Sequence, residues 1–175
     1  MLAGLFLVGC GGGQQDATPP GGESAFEGPG PASSAMIAEG DTATVLALLK
    51  LTMSELDALL ETMERRDTVL AAEPGQEPRR VSVWLRDGAP RKLLVTEPNE
   101  SGLMNDESAY WFVDGELRAA QQPFDAFFLE GDRILLWTDQ ALEPRTDVAT
   151  QERMDRELAL VAEVELRLAH FGLKL

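Results

Sequence analysis

The sequence predicts an α+β domain: an N-terminal helix, an antiparallel β-meander of about six strands in three hairpins, and a C-terminal helix. Three observations predict it. Apolar residues recur at helical spacing in two stretches, Val45 to Met63 and Met154 to Phe171. Between them, residues 79–139 alternate with a period near two. Within that region, turn chemistry recurs: Asp87-Gly88, then two segments that share one pattern, Trp111-Phe112-Val113-Asp114-Gly115-Glu116-Leu117 and Phe127-Phe128-Leu129-Glu130-Gly131-Asp132. Each is an aromatic pair, an aliphatic, an acid, a glycine and an acid, followed by a returning strand.

Composition limits the partners. The chain has 175 residues, 44% hydrophobic and 26% charged, which suits one domain and a tail. Thirty acidic residues against fifteen basic ones leave a net charge of −15 and a pI near 4.4. That balance repels nucleic-acid phosphates, so nucleic acid is excluded as a partner.

At the start, Leu2, Ala3, Leu5, Phe6, Leu7 and Val8 form an apolar run. It is much shorter than the roughly 20 residues a membrane-spanning helix needs, and it reads as the end of a signal-peptide hydrophobic region. The tetrad Leu7-Val8-Gly9-Cys10 resembles the lipobox of bacterial lipoproteins, in which small residues precede a cysteine at the cleavage site. The resemblance implies that residues 1–9 are a truncated lipoprotein signal peptide. It also implies that the Cys10 sulfur carries diacylglycerol and that the new amino terminus is acylated, as with palmitate. Two acyl chains give stable membrane attachment. No Lys or Arg precedes Cys10, so the charged region of the signal peptide is expected upstream of Met1. By the same resemblance the protein belongs to the bacterial cell envelope and faces the periplasm. Gly11, where inner-membrane retention typically uses aspartate, favours the outer membrane over the inner.

Residues 10–40 read as the lipidated cysteine and a disordered tether. Gly, Pro, Ser and Ala dominate, and the few apolar residues show no period, so burial cannot offset ordering entropy. A flexible chain of this length has ends about 30 Å apart, enough to hold a domain away from a lipid surface. With one cysteine in the chain, no intrachain disulfide is expected. The globular α+β domain is expected over 41–175.

In that domain Val45, Leu49, Leu56, Leu60 and Met63 recur at three, four or seven residues, with Leu46, Leu48, Met53 and Leu59 widening the stripe. The spacing predicts a helix over 42–66, with Asp41 as N-cap and the 71–78 loop, rich in Pro and Gly, as its end. Three hairpins follow, turning at Asp87-Gly88, Asp114-Gly115 and Gly131-Asp132, with Pro123 between the second and third. The acids at these tips, Asp114, Glu116, Glu130 and Asp132, lack the spacing of a calcium loop and read as solvated turn residues. Residues 97–108 read as a long acidic loop, the best candidate for a mobile interaction segment. A last helix is expected over 149–171, with Met154, Leu158, Val161, Val164, Leu168 and Phe171 facing the core and Glu152, Arg156, Glu163 and Arg167 facing away. Gly172 suits a left-handed C-cap. His170, the one histidine, falls in the last turn as a capping or surface residue.

No enzyme motif is present. The sequence has no G-x-S-x-G, no Walker loop, no strand-borne G-x-G-x-x-G and no His/Cys cluster for zinc. No enzymatic activity, cofactor or metal is expected. Binding is suggested by strands that are apolar on both faces, such as Tyr110 and Phe112 against Trp111 and Val113. Such a sheet must be covered on its second face. Either the two helices cover opposite faces, or an exposed aromatic surface bearing some of Trp84, Trp111 and Trp137, one in each hairpin, receives a partner. The sequence therefore points to a membrane-anchored, non-enzymatic binding or adaptor module whose partners are the membrane, through its anchor, and an envelope protein. The alternative is an envelope enzyme inhibitor or a carrier of a small apolar ligand, using the aromatic face.

Overall fold

Two-residue turns set the register of the sheet. In the computed structural model, Asp87 and Gly88 have φ of 55° and 79°, and Asp114 and Gly115 have 53° and 84°, the paired positive angles of a type I′ hairpin. At Gly131-Asp132 only the glycine is positive. These turns join β2 (Arg79–Arg86) to β3 (Ala89–Pro98), β4 (Met104–Val113) to β5 (Glu116–Gln121), and β6 (Asp125–Glu130) to β7 (Arg133–Asp139). They are the three hairpins that the sequence predicts. Each carries a register shift close to its turn, at Trp84/Leu85, Trp111/Phe112 and Phe128/Leu129. Bulges of this kind increase the local twist.

The structure describes residues 39–71 and 77–175. Cys10, the lipobox and all but the last two residues of the 10–40 segment lie outside the described residues, as does most of the 71–78 loop. All described elements belong to one compact unit, Met36–Leu175.

The meander has seven strands rather than six, in the order β1-β2-β3-β4-β5-β6-β7, antiparallel throughout. The extra strand is β1 (Glu64–Leu70), which the sequence reading assigned in part to the first helix. Helix α1 runs over Glu39–Ala58, so Asp41 lies inside it and not at its cap. A single 3₁₀ turn, Leu60–Thr62, follows, and the chain becomes extended at Met63. β1 then pairs with β2, with Arg65 opposite Trp84 and Asp67 opposite Ser82. Its Glu-Arg-Arg-Asp start carries no apolar alternation because it is an edge strand, most of whose residues are exposed. Charges there discourage pairing with other chains.

Residues 97–108 are mostly strand. Glu97 pairs with Asp106 and Thr96 with Glu107, which leaves 99–103 as the connection. The Asn99 carboxamide oxygen accepts from the N–H groups of Ser101 and Leu103, at 2.9 and 3.0 Å, and closes the turn.

The two helices cover opposite faces of the sheet. On one face Val83, Leu93, Tyr110, Ala120, Phe127 and Trp137 form a row across the strands, beneath Leu160, Val164 and Leu168 of α2 (Thr150–Ala169). On the other, Leu94, Ala109, Trp111, Ala119 and Phe128 lie against α1 through Leu46, Leu49, Met53 and Leu56. Helix α1 reaches β4 to β7. The C-terminus of α2 is closed by Gly172 at φ 72°: its N–H reaches Ala169 O, and Leu173 N–H reaches Leu168 O, the paired bonds of a Schellman motif.

The inward face of α2 differs from the expected one. Glu157, Leu160, Val164 and Leu168 are buried, flanked by half-buried Arg153, Arg156, Glu163 and Arg167, while Met154 and Leu158 face solvent. The stripe is rotated because long charged side chains find partners on the sheet and can be buried along their stems.

Candidate functional site

Polar side chains cluster where α2 meets the end of the meander. Glu157 Oε1 accepts from the Ile134 N–H at 2.8 Å, and Arg153, one turn earlier, donates to the Ile134 carbonyl at 3.0 Å. The helix thus takes both main-chain groups of one residue on the last strand. Arg133 pairs with Glu157 at 3.4 Å. Further along β7, Arg145 N–H donates to Trp137 O and Asp139 N–H to Glu143 O, so the segment after the strand covers its edge.

Asp125, at the start of β6, receives Trp137 Nε1 at 2.9 Å and pairs with Arg145 at 2.8 Å. Beside it a cleft of about 520 Å³ is lined by Asp125, Trp137, Glu152, Asp155, Arg156 and Ala159. The Arg156 guanidinium lies 5.0 Å above the Phe127 ring and donates to the Gln122 side-chain oxygen. The Gln122 amide in turn donates to the Tyr110 hydroxyl at 3.0 Å and to Glu163 at 3.2 Å. Burial, reinforced by the Glu163 charge, pushes the Tyr110 phenol far above its ordinary range, so it remains protonated. Glu97 on β3 belongs to the same layer. Burial raises its pKa and Glu163 adds to the rise, while Arg79, 3.6 Å away, and Arg167 oppose it.

On the α1 side a carboxylate ties the helix end to the sheet. Asp57 Oδ1 accepts from Lys92 Nζ and from Trp111 Nε1, both at 2.8 Å, and the Lys92 ammonium lies 4.7 Å from the Trp111 ring centre. Asp57 falls in the last turn of α1, where the helix dipole disfavours an anion, and these two donors compensate it. Toward β1 the same face is closed by side chains. Arg65 stacks 4.9 Å over Trp84 and shares Asp67 with Ser82, whose hydroxyl donates at 2.6 Å. The Ser82 hydroxyl, then Arg65, hold the Asp67 carboxyl below its usual range.

An exposed aromatic face bearing some of Trp84, Trp111 and Trp137 was the second of the two arrangements that the sequence allowed. They are 9%, 2% and 6% exposed. Trp84 and Trp111 lie on the α1 side and Trp137 on the α2 side, and each ring is covered by a cation, a helix or an acceptor of its indole N–H. The structure has the first arrangement that the sequence allowed, with helices on both faces. His170 is exposed at the C-cap of α2.

The chain matches no family model, no curated protein and no solved structure. Function is therefore read from the residues themselves. Among the described residues, no group of three or more His, Cys, Asp or Glu side chains could hold a metal ion, and no helix is long and apolar enough to cross a membrane.

With both sheet faces filled, the exposed apolar side chains include Leu48 and Leu51 on α1 and Met154, Leu158 and Leu166 on α2, besides Val69 on β1 and Leu103 and Phe124 in connections. The sequence reading missed the α2 surface because it placed Met154 and Leu158 in the core. The available signal was that Leu160, Val164 and Leu168 form a second stripe at spacing four, one that leaves Leu158, Ala162 and Leu166 on the opposite side.

Proposed function

We propose that this protein is a lipid-anchored component of the bacterial cell envelope, attached through Cys10, facing the periplasm and held on the outer rather than the inner membrane. Its α+β domain serves as a non-enzymatic binding or adaptor module for an envelope protein. The observation that carries the anchoring is the run Leu7-Val8-Gly9-Cys10 behind an apolar stretch and ahead of a segment rich in Gly, Pro and Ser. Two features of the domain support the binding role. Apolar side chains are presented on the outer faces of both helices. The most connected carboxylates, Asp57, Asp125 and Glu157, are engaged in holding α1, β7 and α2 in place.

Mass spectrometry of the protein purified from its own cells tests the anchor. The expected product begins at Cys10 with a thioether-linked diacylglycerol and an acylated amino group. Detergent phase partition should place it in the lipid-rich phase, and Cys10→Ser should shift it to the aqueous one. A free thiol on aqueous material overturns the proposal. Chemical crosslinking in intact envelopes tests the adaptor role, with a defined protein partner as the expected result.

A further inference from the structure

The two helices differ in what accompanies their exposed apolar side chains. Helix α1 turns Leu46, Leu49, Met53 and Leu56 toward the sheet and leaves Ala43, Ala47, Leu48 and Leu51 exposed on its other side. Leu48 is 47% exposed and Leu51 51%. Between Asp41 and Glu55 the helix has one charged residue, Lys50, so residues 42–54 contain no acid in a chain whose net charge is −15. On the outer side of α2, by contrast, exposed Glu152, Asp155 and Glu165 interrupt Met154, Leu158 and Leu166. Helix faces turned to water normally carry such charges, and the outer side of α1 lacks them.

Position in the chain supplies the occupant. Residues 11–38 separate Cys10 from Glu39, where α1 begins. A flexible chain of that length has ends about 30 Å apart, so lipid at Cys10 brings α1 to the bilayer ahead of every other element. We propose that the outer side of α1 rests on the lipid surface that anchors the chain, with the helix along the membrane plane and Leu48 and Leu51 at the acyl boundary. This rests on the reading of Cys10 as the lipid-bearing residue. The helix lies along the bilayer and not through it, since among the described residues no helix is long and apolar enough to cross. Interfacial binding grows with the apolar area buried and is opposed by repulsion between like charges. Two leucines and two alanines bury too little to hold a free domain, but a tether raises the effective concentration of the surface. The exposed acids of α2 and of the hairpin tips at Asp87, Asp114, Glu130 and Asp132 keep those surfaces in water. A second copy of the chain would bring the same acidic charge against its twin, whereas neutral headgroups would not. Because the helices cover opposite faces of the sheet, α2 then points away from the bilayer.

The test attaches the full chain, through the thiol of its one cysteine, to a maleimide lipid in phosphatidylcholine vesicles. The vesicles also contain a phosphatidylcholine whose acyl chain carries a diazirine near the carbonyl. Illumination and peptide mass spectrometry should place several-fold more lipid adducts on residues 43–55 than on residues 151–169. Leu48→Asp combined with Leu51→Asp should lower the α1 adducts several-fold, and Leu158→Asp should leave them unchanged. All three positions are exposed, so the unattached variants should melt with the parent. Equal labelling of the two helices overturns the proposal, as does α1 labelling that the paired substitution leaves unchanged. An α1 that takes no lipid because residues 11–38 or a second copy cover it overturns it too. Since the attachment is made chemically, these outcomes are independent of whether the cell lipidates Cys10, which the mass of the native protein reads.

Discussion

The two faces of the sheet are closed by different means. Beneath α2, aromatic rings from β4, β6 and β7 and three fully buried side chains of the helix make one continuous core. The helix also grips the main chain of the last strand through Arg153 and Glu157. Beneath α1, Leu49 is the one fully buried side chain that the helix supplies; Leu46, Met53 and Leu56 are half-buried. There the Asp57 carboxylate ties the end of the helix to the sheet through Lys92 and Trp111. The difference shows that one sheet with two apolar faces need not have two equal cores. The α2 side carries the fold, and the α1 side is a cover that can open at lower cost.

Core truncations give the largest expected effect. Leu160→Ala should lose about 4 kcal/mol of global stability, near the upper end of the range for buried leucine, because the rigid sheet cannot collapse into the cavity. Leu49→Ala should lose only about 2 kcal/mol, since half-exposed neighbours can relax toward the gap. Denaturant titration of both variants measures the contrast, and equal losses would break the distinction between core and cover.

The polar attachments sharpen the same contrast. Glu157→Ala removes the acceptor of the Ile134 N–H in a buried setting and should cost about 1–3 kcal/mol. Hydrogen exchange should show the loss along β7, at the edge of the sheet. Asp57→Ala orphans the Trp111 indole N–H and leaves Lys92 without its partner, at a cost of about 1–2 kcal/mol. Here the expected readout is local: increased exchange through α1 and a red-shifted, more quenchable tryptophan emission, with β2–β7 protection retained. Uniform loss of protection would mean that α1 and the sheet unfold together.

What the sequence made legible follows the range of the physics involved. The three hairpins were readable because Asp-Gly and Gly-Asp turns act within four residues. The paired helices on opposite faces were one of two arrangements implied by strands apolar on both sides. β1 was hidden because its Glu64-Arg65-Arg66-Asp67 start is suited to an exposed edge and continues the charge pattern of a helix end. The rotation of α2 was hidden for a related reason: Arg156, Glu163 and Arg167 look solvent-facing until Phe127, Gln122 and Glu97 supply partners that lie 29 or more residues away in the chain. The burial of Trp84 likewise depends on Arg65, across a strand pairing that local pattern does not reveal.

Glu97 offers the smallest and most selective probe of the α2 side. Its carboxyl is buried near Glu163, and burial raises its pKa despite Arg79. The folded state therefore holds this proton more tightly than the unfolded chain does. Its contribution to stability is complete below the ordinary glutamate range and is lost as pH rises through the elevated folded value. Asp67, on the α1 side, behaves in the opposite sense: its depressed pKa gives stability above the ordinary aspartate range that is lost as pH falls through the folded value. Asp67 is largely exposed, so solvent screening keeps that contribution small. Glu97→Gln should consequently flatten the rise in melting temperature between neutral and mildly acidic pH, and raise the neutral value by less than about 3 °C. Asp67→Asn should lower the melting temperature slightly and evenly from pH 4 to 8, leaving the slope in that range unchanged. Thermal melts from pH 4 to 8 distinguish these slopes. If Glu97→Gln instead lowered stability at neutral pH, the Arg79 pairing would outweigh burial, and the α2 side would be held by charge as well as by packing.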